Sequence, residues 1–185
     1  MNAIERLIIN FQELVAQVPE ALQPLIVALA GVIPFVEGEV ASLIGIAGGI
    51  NPIVAGVAAA TGNFLSVLVV VAVTARARTA VVDRRLRPVP VGAGAMPASA
   101  LEETPARPQS KGRARFNRWL LRFGVPGASI LGPLAVPTQV TSAILVGGGT
   151  SRRWVLLWQA VAIVLWTTIS TVSVWAALTY VVGVS

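Results

Sequence analysis

The chain contains no cysteine and no histidine. The first absence excludes disulfides, thiolate metal sites and a cysteine nucleophile. The second removes imidazole ligands and any histidine acid–base pair. Charge is also scarce: 12% of the 185 residues are Asp, Glu, Lys or Arg, about half the share usual in a soluble domain. No Gly-x-x-x-x-Gly-Lys-Ser/Thr loop and no Gly-x-Ser-x-Gly elbow occurs, so nucleotide-driven and serine-based chemistry lack their usual machinery. Residues 123–185 contain no acid, which leaves a two-carboxylate hydrolase without its second group. An enzyme is therefore not expected, nor is any metal or cofactor.

Apolar residues are abundant: 55% are hydrophobic and the mean hydropathy is +0.78. This composition predicts an all-α integral membrane protein. The net charge of +6 does not point to nucleic acid, because eleven of the fourteen basic residues lie between Arg76 and Arg122. A basic segment between two apolar blocks is the mark of a cytoplasmic loop, and no nucleic-acid partner is expected.

Four parts follow along the chain. Residues 1–18 place Ile4, Leu7, Ile8, Phe11, Leu14, Val15 and Val18 at spacings of three and four. This predicts an amphipathic helix rather than a signal peptide. A first repeat (1–75) continues with a broken apolar segment (21–49) and a span (52–75). Residues 76–113, rich in Pro, Gly, Ala and Arg, read as a flexible basic cytoplasmic linker. A second repeat (114–185) contains a basic amphipathic stretch, a broken segment (125–149) and a span (154–182). Laying 39–49 over 139–149 matches Val40, Ser42, Ile44, Gly48 and Gly49 with Val140, Ser142, Ile144, Gly148 and Gly149.

The two spans carry no charge over 52–75 and 154–182, and Trp154, Trp158, Trp175 and Tyr180 stand near the ends of the second. About 20 residues cross the hydrocarbon core, and aromatics favour its edges. The broken segments contain Pro24, Gly31, Pro34 and Gly38 in one half, and Pro126, Gly132, Pro133 and Pro137 in the other. Each reads as a re-entrant hairpin or a single kinked span. Charge bias favours hairpins, because Arg152 and Arg153 then stay cytoplasmic. The two halves would form an inverted repeat, and matched interruptions of this kind mark a transporter site near the midplane.

Glu37 and Glu39 are the only charged residues between Glu20 and Arg76. An ionisable group at membrane depth costs roughly 2.5–3.5 kcal/mol on insertion scales, so it calls for a reason such as an ion path or a substrate site. Two readings are sharp: a proton-exchange pair, or an attractor for a cationic substrate. The plainer reading is a carboxylate capping a half-helix. Gln139, Thr138, Thr141 and Ser142 supply polar groups in the second half, either lining a shared cavity or bonding backbone freed by Pro137. Asn63, an amide inside a span, is either interhelical glue or cavity lining. Asn51 reads as a turn residue before Pro52. Thr167, Thr168, Ser170, Thr171 and Ser173 read as close helix packing.

Ile33-Pro34-Phe35-Val36-Glu37, with Gly45-Ile46, Gly49-Ile50-Asn51-Pro52 and Gly62-Asn63, resembles the signature of the small multidrug export protein family. Pro133–Gly149 and the Arg152-Arg153 pair resemble its second half more loosely. Pro34-Phe35-Val36-Glu37-Gly38-Glu39 resembles, more distantly, the Pro-Phe-x-x-Gly-acid hairpin of DedA-type membrane proteins. That likeness places Glu39 at the DedA acidic position. It implies two re-entrant hairpins and proton-coupled transport, including that of lipid-carrier phosphates. The arginines of the DedA second hairpin have no counterpart, since Pro133 and Gln139 stand at those positions.

The expected function is an ion-coupled, most simply proton-coupled, secondary transporter of a small or amphipathic molecule. The alternatives are a lipid or lipid-carrier flippase or scramblase, and a non-transporting structural membrane protein. Expected partners are membrane lipids, a small-molecule or lipid substrate, and further copies of the chain, since two crossings make a thin monomer. An Arg-rich, Lys-poor composition fits a multi-pass protein of a bacterial inner membrane.

Overall fold

The computed structural model describes residues 10, 13, 17–86, 124–177, 179 and 180. Most of the expected amphipathic helix 1–18, most of the linker and the basic stretch that opens the second half lie outside them. The described residues are helical, without strands. Helix α1 spans Gln23–Gly31, α2 Glu37–Ala47 and α3 Pro52–Leu86. After a helical stretch at 124–131 come a 3-10 turn at Gly132–Leu134, α4 at Thr138–Gly147 and α5 at Arg152–Ala177.

Both broken segments fold back on themselves. Pro34 and the positive φ values of Phe35 (70°) and Glu37 (48°) reverse the chain between α1 and α2. The two helices then lie side by side: a Cβ added to Gly45 of α2 would come within 2.9 Å of Val27 of α1 and of Ala55 of α3. Helices of nine and eleven residues are about 14 and 17 Å long, half of a hydrocarbon core of about 30 Å.

The ends of α2 and α4 are built alike, one hundred residues apart. Gly49 and Gly149 take φ values of 87° and 102°, which glycine adopts without a Cβ penalty. Ile50 N–H donates to the Gly45 carbonyl and Gly49 N–H to that of Ile46; Thr150 and Gly149 do the same to Leu145 and Val146. This is the double closure of a Schellman motif. Each motif leads directly into a long helix. Asn51 caps α3 by accepting a 3.0 Å bond from Ile53 N–H, with Pro52 in the first turn, where its missing donor costs nothing.

Burial repeats with the same offset. Ala55, Ala59, Asn63, Val67 and Val71 of α3 are buried, and so are Val155, Gln159, Ile163, Thr167 and Thr171 of α5. The long helices run antiparallel, since Gly56 near the start of α3 lies against Thr171 near the end of α5. At the opposite end, Leu68, Val71 and Ala72 border a groove with Arg152, Arg153 and Leu156. Thr167 and Thr171 sit against Gly38 and Gly56, as close packing of small and hydroxylated residues requires.

Both long helices are long and apolar enough to cross a membrane. Their outer faces expose large apolar side chains, among them Ile53, Val57, Val69 and Val73 on α3, and Leu157, Val164 and Val172 on α5. α3 does not stop at residue 75, where the charge-free run stops; it continues to Leu86. Ala and Arg are good helix formers, and no Pro or Gly interrupts residues 74–87. α5 starts two residues before the expected span and is assigned to Ala177; residue 178 and residues 181–185 lie outside the described part.

Candidate functional site at the meeting of the hairpin tips

α4 begins after Pro137, whose side chain cannot cap a helix. The first amides of α4 therefore need an acceptor from elsewhere. Glu37 of the other half supplies it: Thr138 N–H donates a 2.6 Å bond to Glu37 Oε1, and Thr138 Oγ1 donates to the same oxygen at 2.8 Å. A carboxylate there also sits favourably at the positive end of a helix dipole. Glu37 is the first residue of α2, so this one contact joins the tips of both hairpins. Residues Phe35 and Glu37 hold a left-handed backbone rare for side-chain-bearing residues, and such conformations cluster at functional sites.

The contact lies about 17 Å along α3, beside Asn63, roughly half-way through its charge-free run. Asn63 Oδ1 is 3.1 Å from Thr138 Oγ1 and accepts from Gln139 Nε2 at 3.3 Å. Gln139 Nε2 also donates to Ser66 Oγ at 2.9 Å, and Ser66 Oγ donates to the Asn63 carbonyl at 2.8 Å. All five residues, Glu37, Asn63, Ser66, Thr138 and Gln139, are buried.

In this orientation Asn63 Nδ2 has no partner. Amide orientation follows from the network rather than from the atoms. With both amides turned over, Ser66 donates to Gln139, Asn63 Nδ2 donates to Gln139 and Thr138, and Thr138 donates to Glu37. The chain of bonds thus has two polarities, one of which directs its donors towards the carboxyl group. Such a chain can follow a change of protonation with amide and hydroxyl rotations alone.

A cavity of about 280 Å³ opens against the contact. Among the described residues, Glu37 and Glu39 are its only ionisable lining residues; the rest comes from both hairpin tips and from Trp166 of α5. The indole is held by a 2.8 Å bond from Nε1–H to the Ile130 carbonyl. An apolar chamber with aromatic walls, two carboxyl groups and no basic group favours a small cationic or proton-donating guest over an anion.

The residues anticipated from sequence fall into four groups. Glu37, Asn63, Thr138 and Gln139 are joined directly. Glu39 borders the same cavity, half-buried, with its carbonyl bonded by Ser42, but stands outside the network. Ser142 donates to the Thr138 carbonyl at 2.7 Å and so braces the first turn of α4. Thr141 is buried with its hydroxyl unpaired and lies against Gly132, away from the network. Sequence reasoning missed Ser66 and Trp166. Ser66 was findable, since it sits one helical turn beyond Asn63 on the same face.

Thr138→Val tests how tightly the tips are joined. It keeps the shape but leaves Glu37 with the backbone donor alone. We expect a loss of about 1–3 kcal/mol, read as a lower thermal midpoint in detergent. An unchanged midpoint would mean that the hydroxyl does not bond the carboxyl group. Compared with protein-family models, curated proteins and solved structures, the chain matches none.

Proposed function

We propose that the chain is an inner-membrane secondary transporter, a proton-coupled carrier of a small, weakly cationic or amphipathic molecule. In this reading α3 and α5 cross the bilayer in opposite senses. The two hairpins enter from opposite sides as an inverted repeat and meet at its midplane. The observation that carries the reading is the Glu37–Thr138 contact: a buried carboxyl group where two half-length hairpins touch, beside a cavity of about 280 Å³.

Several features support it. Helix breakers at membrane depth are tolerated where backbone is buried in protein or lines a cavity, and hairpin tips at a repeat interface are where transporters bind. The exposed apolar faces of α3 and α5 suit a lipid environment. The Trp154–Trp158 and Trp175–Tyr180 ring pairs begin about 21 residues apart, roughly 32 Å along the helix, close to the thickness of the hydrocarbon core. A lipid or lipid-carrier flippase fits the cavity less well, because no basic group among the described residues lines it to meet a phosphate. A purely structural role leaves the burial of Glu37 without benefit beyond capping α4.

Topology is testable directly, since the chain has no cysteine. Single cysteines at Gln12 and Ala93 are treated in intact cells with an impermeant thiol reagent. We expect Gln12 to be labelled and Ala93 protected. Protection of both would place the N-terminus inside and sink the hairpin topology.

A further inference from the structure

The far end of the α3–α5 pair carries a second feature that the hairpin site does not use. A groove of about 290 Å³ is lined by Leu68, Val71 and Ala72 of α3 and by Arg152, Arg153 and Leu156 of α5. Its lining is apolar apart from Arg152 and Arg153, and among the described residues no carboxylate lines it. Arg78, two turns further along α3, leans over Gly149 in the turn before α5: a Cβ there would come within 3.0 Å of Arg78 Nη2. Arg78 does not line the groove, but its guanidinium reaches the turn that leads into Arg152 and Arg153.

Their placement is electrostatically unfavourable by itself. Arg152 and Arg153 open α5, whose first turn contains no acid. Cations are disfavoured at a helix N-terminus, where the dipole is positive and the first amides lack acceptors. The equivalent end of α3 differs: Asn51 caps it, and Pro52 and Ile53 replace the arginine pair. An anion at the α5 end would relieve both the arginine repulsion and the unsatisfied amides.

We propose that this groove binds one anionic phospholipid. Its phosphate rests against Arg152 and Arg153 with Arg78 nearby, and an acyl chain lies along Leu68, Val71, Ala72 and Leu156. Charge and shape select the occupant together. A free phosphate would use the arginines and leave the apolar floor uncovered, whereas a zwitterionic lipid would fill the floor and bring no net charge to three arginines. The basic end carries the site and, among the described residues, the opposite end has no basic counterpart, so the lipid binds in one leaflet only, the one assigned to the basic segment by charge bias. The inference rests on the membrane placement proposed above but not on transport.

The test uses the full chain purified in detergent and stripped of lipid. Native mass spectrometry then follows titration with phosphatidylglycerol, with phosphatidylcholine of the same chains, and with inorganic phosphate. We expect one phosphatidylglycerol to be retained, with phosphatidylcholine and phosphate retained weakly or not at all. The Arg152→Gln/Arg153→Gln double variant should weaken phosphatidylglycerol binding roughly 30-fold. Ala72→Phe, which fills the groove and keeps the charge, should weaken it as well. Equal retention of both lipids, equal binding of phosphate alone, or a double variant that binds phosphatidylglycerol like the wild type would each overturn the site. Alkaline carbonate extraction separates the two readings. Wild-type chain released from membranes defeats the membrane placement itself; chain that stays embedded but shows no lipid preference defeats only the lipid site.

Discussion

Glu37→Gln is expected to abolish pH-dependent transport while leaving the fold in place. Glu37 Oε1 accepts both bonds from Thr138, and a glutamine carbonyl can accept the same two. The substituted side chain keeps length and shape, so the hairpin tips should still meet and α4 should stay capped. What disappears is the group that gains and loses a proton. Among the described residues no basic side chain lines the cavity to compensate a charge there, which makes neutralisation by a proton the natural way to bury this carboxyl group. In reconstituted vesicles under an imposed pH gradient, wild-type uptake should follow the gradient and the variant's should not. The variant should insert and melt near the wild type. Glu39→Gln, at the same cavity but outside the network, should give a weaker version of this loss. If Glu37→Gln transports with an unaltered pH profile, Glu37 acts only as the cap of α4 and the proton-coupled reading is wrong.

The largest structural effect should come from Gly62→Ala. α1 meets α3 backbone to backbone. A Cβ on Gly62 would collide with the Ala28 carbonyl, and one on Gly31 would come within 2.6 Å of the Ala59 carbonyl. These atoms belong to main chain, which cannot swing aside as a flexible side chain would. Overpacking of this kind costs about 1–3 kcal/mol where neighbours can adjust and more where they cannot. We expect Gly62→Ala to sit at or above the top of that range and to undock the first hairpin. The matched control is Gly49→Ala. Gly49 has open space around it but a φ of 87°, so the cost there should be about 1–2 kcal/mol from backbone strain alone. Thermal unfolding in detergent and protease sensitivity near Pro34 read both. A Gly62→Ala chain that melts no lower than Gly49→Ala would refute the close approach of α1 and α3.

The helical character and the two long apolar helices were legible in the chain itself. Apolar run length, the paired Gly-Gly turns and the Pro-broken segments carry them, because these depend on local chemistry: hydropathy over about twenty residues, and backbone conformations that only glycine or proline suits. The oddity of Glu37 was legible too, since a lone carboxyl group in an apolar block stands out in any register. Two boundaries were not: α5 starts at Arg152, two residues before its charge-free stretch, and α3 runs past its own to Leu86, because helix formation follows backbone propensity and not hydropathy.

What only the tertiary structure decided was who meets whom. Glu37 caps a helix one hundred and one residues away, and nothing in the sequence around either residue encodes that pairing. It arises because two short hairpins, docked on antiparallel helices, bring their tips to the same level. Thr141 and Gln139 are two residues apart and chemically similar, yet one joins the network and the other faces Gly132, since a helix turns about 100° per residue. Ser66 joins for the same reason: it shares the buried face of α3 with Asn63. Composition and local pattern therefore determined the elements and flagged the acid. The packing of those elements determined its partners, because side-chain direction depends on helix phase and docking, which no short stretch of sequence contains.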